Sequence, residues 1–305
     1  MEITTAMIKE LREKTGAGIL DCKSALAEAN GSIEEAEKSL RKKGLAAAAK
    51  KAGRVAAEGL VGYALEGGAA ALVELNCETD FVAKTDDFKA ARAALAAFVA
   101  AEVSFGDAPE GNAEALKAMP CPPAVPGATG TIADWLQAAT AKTGENTQVR
   151  RFARVVAGAG NALHLYAHPG DKTVVVVETT GCDAELGRDL AMQVAALTPS
   201  WAVREQVPEK VLADEREIAR AQAVASGKPE NVVEKMVEGR IGKFFGEAVL
   251  VDQPFVKDDS KKVAQVVAER GGKDAKVVRF VRYKVGEGVE KKQTDLAAEV
   301  AALTK

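Results

Sequence analysis

Histidine and cysteine are the side chains from which metal sites and nucleophiles are most often built, and the chain holds two of the first and four of the second. Cys22, Cys77, Cys121 and Cys182 form no CxxC pair, and two histidines add too few partners for a zinc site. His164 and His168 stand four apart and would share a face of a strand. No third ligand lies near them in sequence, so hydrogen bonding in the core or at the surface is their simpler use. The thiols read as free cysteines of a reducing compartment. No GxGxxG follows an expected strand, no Gly-rich stretch precedes GKS or GKT, and neither GxSxG nor HExxH occurs. Gly286-Glu287-Gly288 reads as a turn. These patterns point away from an enzyme and from any bound cofactor or metal.

One segment resists a bland account: Thr79-Asp80-Phe81-Val82-Ala83. In one reading Thr79 or Asp80 caps a helix and Phe81 enters the core. In the other, Asp80 and Phe81 sit at the tip of a loop, and an exposed aromatic would anchor in a partner's pocket. The basic stretch Arg41-Lys42-Lys43, Lys50-Lys51 and Arg54 carries no interleaved aromatics to stack on bases. It reads as a solvated helix face or a contact for an acidic protein surface.

The elements that must position these residues are largely helical. There are 59 alanines in 305 residues against 14 aromatics, which predicts thin, closely packed helices. The near balance of 41 basic and 44 acidic residues argues against a phosphate-backbone binder. No apolar run reaches membrane-spanning length, and Met1-Glu2-Ile3-Thr4 lacks the start of a signal peptide, so a cytoplasmic protein without membrane contact is expected.

Met7, Ile8 and Leu11 line a first helix; Ala25, Leu26 and Ala29 line a second, from about Leu20 to Asn30-Gly31. Ser32 and Glu35 form a capping-box pattern that opens a third, with Gly44 as its expected end. Leu60 to Leu65 and Ala69 to Leu75 read as a hairpin turning at Gly67-Gly68, followed by a helix from about Asp86 to Ala101. Residues 104–131, rich in Gly and Pro, read as a loop around one short helix near 112–118. Ala162 to Tyr166, Thr173 to Glu178 and a helix over Glu185 to Leu197 repeat the strand–turn–strand–loop–helix outline. Residues 205–225 and 230–245 read as an antiparallel helical hairpin broken at Ser226-Gly227-Lys228-Pro229, with Val207, Val211, Ile218, Ala221 and Val224 as the apolar positions of the first helix and Val233, Met236, Val237, Ile241 and Phe244 as those of the second. A strand over Val277 to Val285 and a last helix, Thr294 to Leu303, end the chain.

Several blocks together resemble the bacterial elongation factor Ts family. They are Leu11-Arg12-Glu13-Lys14-Thr15-Gly16-Ala17-Gly18, the run Glu74 to Ala83, Gly144-Glu145-Asn146 with Arg150-Arg151, Ser226-Gly227-Lys228-Pro229 with Glu234 to Arg240, and Gln253-Pro254-Phe255-Val256. The resemblance implies an α+β fold. It would comprise a three-helix, ubiquitin-associated-like N-terminal docking domain (1–56), a core N-subdomain (57–140, with the Pro/Gly-rich linker 104–131), a core C-subdomain (141–288, interrupted by the hairpin 201–245) and a C-terminal module (289–305). It implies two similar subdomains with antiparallel sheets. It also implies an exchange factor for the translational GTPase elongation factor Tu, with no covalent chemistry and no direct nucleic-acid contact. The partner, not this chain, would hold nucleotide and Mg²⁺. A homodimer stays open, as does a scaffold module of the same fold without exchange activity. By residue, the resemblance carries over Arg12, Ile19 and Leu20 as contacts of the docking domain. Thr79, Asp80, Phe81, Val82 and Ala83 become the segment reaching between helices near the partner's magnesium site, and His168 a contact to another partner domain. The Pro-rich run Cys121 to Pro126 departs from the helical segment expected of the family.

Overall fold

A computed structural model describes residues 3–15 and 17–290. Thr5–Thr15 (α1), Ile19–Glu28 (α2) and Ile33–Lys51 (α3) enclose a small core of Leu11, Cys22, Ala25, Leu26 and Ala36. Half of the expected capping box forms: the Glu35 amide donates to Ser32 Oγ. Gly44 does not end α3, which runs seven residues further. A Cβ at Gly44 would stand 3.1 Å from that of Ala141, so this glycine admits a neighbouring helix instead of breaking its own.

Glu58–Glu66 (β1) and Ala69–Cys77 (β2) pair in antiparallel register around Gly67 and Gly68. Both glycines have positive φ, as a two-residue hairpin turn of the twist-matched kind requires. A single turn, Asp80–Ala83 (α4), precedes Asp86–Ala101 (α5), whose ends agree with the sequence reading. The stretch 104–131 is more than a loop. Ala108–Gly111 (β3) joins a sheet, Ala113–Ala118 (α6) is the expected short helix, and the Pro-rich run closes on itself through Cys121 N–H to Gly130 O and Trp135 Nε1–H to Pro126 O.

Ile132–Thr143 (α7) and Gln148–Val156 (β4) follow. β4 pairs with β2, giving the order β1-β2-β4-β3, so the sheet extends past the expected 140/141 boundary. The strand was hidden by its arginines, which serve buried acceptors. Arg151 and Arg150 reach the fully buried Glu74, and Arg154 donates to Ala100 O and Gly106 O.

The second sheet is Asn161–Ala167 (β5), Thr173–Thr180 (β6) and, at the far end of the chain, a strand that comes after four helices. Those helices are Ala184–Leu197 (α8), Glu209–Ala225 (α9), Glu230–Ala248 (α10) and Val263–Gly271 (α11). The short strands Pro254–Phe255 (β7) and Asp258–Lys262 (β8) precede α11, and Lys276–Lys284 (β9) closes the sheet against β6. The strand–turn–strand–loop–helix outline thus occurs twice.

The core has four layers. Val73, Leu75 and Phe152 on one face of the first sheet meet Phe88, Leu95 and Trp135 from α5 and α7. Val61, Leu72 and Val155 on its other face meet Val174, Val176 and Tyr283 of the second sheet. Val175 and Val177 then face Leu186, Leu190 and Val266 from α8 and α11. β2 is buried along its whole length because both of its faces are covered, which explains its unbroken apolar character apart from Glu74 and Asn76.

The α9–α10 hairpin packs through Ala219, Ala223, Val233 and Ile241, while Ile218 and Val224 lie exposed. On α10 the expected Val233 and Ile241 do face the seam, whereas on α9 the seam falls on Ala219 and Ala223, whose small side chains let the helix axes approach, so that the expected Ile218 and Val224 face outward. α9 begins at Glu209, after a short turn over Arg204–Gln206, not at 205. The expected last helix, Thr294 to Leu303, and the C-terminal module beyond residue 290 lie outside the described residues.

At the hairpin's foot Arg204 donates from Nε to Asp252 Oδ2 at 2.6 Å and lies over the Phe245 ring. Hydrogen bonds from Arg204 hold the Asp252 carboxyl below the ordinary range, against the opposing effect of burial. A carboxyl depressed in the folded state stabilises the fold above its unfolded value near about 4, and that stabilisation is lost as pH falls through the lower folded value. Asp252→Asn is expected to lower stability at pH 7 by about 1–2 kcal/mol. In urea titrations across pH, the variant and the unaltered chain should converge at the acid end.

Candidate partner-binding site

The run from Cys77 to Thr85 leaves the end of the central strand and must turn before α5. Thr79, with extended backbone, caps α4 by accepting from the Val82 amide, and Thr85 caps α5 by accepting from the Phe88 amide. Ala83 is buried and Val82 packs against the first sheet's core. Phe81 is 79% exposed. Thr79 is thus a cap, as the first reading has it, but Phe81 projects into solvent and does not enter the core. Asp80 is ion-paired with Lys84 on the next turn, and that hydrogen bond, more than any other influence, holds its carboxyl below the ordinary range.

What holds an aromatic out in water is the backbone beneath it. The Glu145 carboxylate accepts from Thr79 N at 2.9 Å and from Thr79 Oγ1 at 2.6 Å. Reciprocally, Glu78 Oε1 accepts from the Asn146 amide at 2.7 Å. Cys77 Sγ–H donates to Thr79 O, and burial pushes this thiol's pKa up to about 12, so it stays a protonated donor. Glu145, Glu78 and Asn146 were not singled out as site residues from the sequence. Their only signal was membership of two of the resembling blocks, Glu78 in the run Glu74 to Ala83 and the other two in Gly144-Glu145-Asn146, with Glu145 66 residues away from Thr79.

The remaining expected residues fall on two other surfaces. Ile19 and Leu20 open α2 and are 56% and 81% exposed; Arg12 is exposed on α1. Gly18, the cap of α2, offers no side-chain acceptor, so the α2 start presents backbone N–H groups beside two apolar side chains. His168 is exposed in the β5–β6 turn, with Nδ1 3.1 Å from Tyr166 Oη. That turn is fastened to the first sheet. Asp171 O accepts from Val61 N, its carboxylate pairs with Arg92, and Lys172 pairs with Glu58. His164 lies apart from it, buried between Gly187 and Thr179 and hydrogen-bonded to Thr179 Oγ1 at 2.8 Å. Of the basic stretch, Lys43 pairs with Glu28 and Arg54 with Glu78.

Exposed apolar residues mounted on clamped turns and on a helix start make a protein-docking surface. The class of protein is therefore one that acts through a macromolecular partner. A family model described as elongation factor TS matches residues 78–287. The chain is 48% identical to elongation factor Ts of Methylococcus capsulatus, over 99% of this chain and 98% of that relative. It is 50% identical to elongation factor Ts of Thioalkalivibrio sulfidiphilus, over 100% and 99%, and 46% identical to that of Tolumonas auensis, over 99% and 97%. The chain belongs to the elongation factor Ts family. It is a guanine-nucleotide exchange factor for elongation factor Tu, and it performs no covalent step.

Thr79→Ala removes the cap and the hydroxyl bond to Glu145 and is expected to cost about 1–2 kcal/mol. Phe81→Ala, at an exposed position, should change stability by no more than about 0.5 kcal/mol. Urea unfolding of the two variants checks the contrast.

Proposed function

We propose that exchange works through a two-sided grip in which the Asp80–Phe81 turn is the distorting element. Arg12, Ile19 and Leu20 dock the N-terminal helices on the partner's nucleotide-binding domain. His168 and its turn meet a second domain, and the C-terminal module returns to the first. The protein works in the cytoplasm, where its partner does. The observation that carries the reading is the exposure of Phe81 on a turn held by Glu145. A scaffold without exchange activity would gain nothing from an aromatic kept in solvent at a fixed position.

A GTPase holds GDP through Mg²⁺ and phosphate-cradling N–H groups. A binder that prefers the state lacking nucleotide must weaken nucleotide affinity by the same factor. Phe81 entering a crevice between the partner's helices favours such a state. The Asp80 carboxylate, held anionic by Lys84, would disfavour the arrangement that keeps Mg²⁺ in place. Val82 and Ala83 serve as the root of the turn in this chain's own core.

Phe81→Ala should slow GDP release from the complex by about tenfold or more, the scale of a lost aromatic anchor. Stopped-flow release of fluorescent GDP measures it, and a rate equal to that of the unaltered protein refutes the assignment.

A further inference from the structure

We propose that Asn146, with Glu145 beside it, is a positioning residue of the exchange reaction: one turn of chain that fixes the N-terminal docking helices and the Phe81 turn relative to each other. This rests on the reading of those two surfaces given above.

The hydrogen bonds of residues 144–146 run to two separate elements. Gly144, with φ +78°, ends α7 in the left-handed conformation and turns the chain sharply. Glu145 then takes both donors of Thr79, two residues before Phe81. Asn146 faces the other way. Its Nδ2 donates to Arg54 O at 2.7 Å and to Ala52 O at 3.2 Å, the segment that leaves α3. Its own amide donates to Glu78, and Glu78 in turn pairs with Arg54 at 3.6 Å. Asn146 is 5% exposed, whereas Ala52 and Arg54 are exposed.

Two adjacent side chains thus hold two partner-facing elements, one each. α3 also packs on α7 through Gly44 and Ala141, so the helix leading into this turn supports the docking helices as well. Without the Asn146 bonds, the N-terminal helices would hang on α3–α7 packing, on the partly exposed Arg54–Glu78 pair and on chain connectivity from residue 52 to β1. Docking there would then present the Phe81 turn to the partner at a lower effective concentration. Losing the Glu145 bonds acts differently: docking persists, but the turn is no longer held in its projecting geometry.

The two residues therefore predict opposite kinetic signatures in the full-length chain, read from GDP release as the protein is titrated onto its GDP-loaded GTPase partner. Asn146→Ala should raise the half-saturating concentration about threefold to tenfold, the worth of one or two hydrogen bonds, with the saturated rate within about twofold. Glu145→Ala should lower the saturated rate toward that of Phe81→Ala, with a smaller change in half-saturation. Asn146→Ser, which keeps a donor, should recover part of the affinity. Ala52 and Arg54 are exposed, so water replaces the lost donor and the thermal unfolding midpoint of Asn146→Ala should stay close to that of the unaltered chain. Glu145→Ala, which frees both donors of Thr79, should lower the midpoint on any reading; if the Asn146→Ala midpoint falls as well and both kinetic parameters decline together in both variants, the role is merely structural and the proposal is overturned. Unchanged kinetics in both, alongside a slow Phe81→Ala, overturns the joint and leaves the Phe81 reading intact. A Phe81→Ala protein as fast as the unaltered one overturns that reading first.

Discussion

A large apolar side chain kept in water has every thermodynamic reason to fold back, and here the opposing constraint is a single carboxylate. Glu145 accepts from both donors of Thr79, and those bonds, with the cap that Thr79 gives to α4, fix the direction in which Phe81 leaves the surface. Everything around the turn serves that geometry. β2 is buried on both faces and brings the chain rigidly to Cys77. Ala83 and Val82 root the exit, and the capped start of α5 begins immediately after. The aromatic is free only because its neighbours on both sides are not.

The same economy runs through the polar interior. Glu74 is buried in the first sheet, where it accepts from Arg150, Arg151, Asn76 and the Gly286 amide. A lone buried carboxylate would be costly, but this one is satisfied from four sides. It also binds the end of β9 to the first sheet, so the chain's late return is anchored at the strand that leads to the Phe81 turn. Two sheets packed face to face, each with helices on its outer side, then give a body stiff enough to carry small protruding elements.

Much of this was legible in residue patterns. Consecutive glycines at 67–68 between two apolar runs gave the first hairpin, and the alanine-rich run from Asp86 to Ala101 gave α5 with its ends. Phe81 stood out because the segment around it could be a cap with Phe81 in the core or an exposed tip; the cap forms at Thr79, but Phe81 lies in solvent. Other features were hidden for physical reasons. β4 carries Arg150, Arg151 and Arg154, whose use depends on acceptors that only the fold brings near. β3 is four residues long and contains Pro109, so it has no periodicity to read. Gly44 looked like a stop, yet the approach of α7 decides its role. On α9 the hairpin seam falls on alanines, whose contribution is closeness of approach, while Ile218 and Val224 draw attention by their size; on α10 Val233 and Ile241 lie in the seam as their spacing suggests. Glu145 stood out only as part of the block Gly144-Glu145-Asn146, and its role stayed hidden because its partner Thr79 is distant in sequence.

The fastening of the β5–β6 turn to the first sheet has a consequence of its own. Val61 N–H to Asp171 O, Arg92 to Asp171 and Lys172 to Glu58 lock the His168 turn to the sheet from which the Phe81 turn also springs. On the proposed reading the two are the jaws of a calliper whose opening is set before the partner arrives. Such a tool discriminates by length. A partner whose two domains stand at the matching separation is gripped at both ends, and one whose domains are spaced otherwise can be touched at only one.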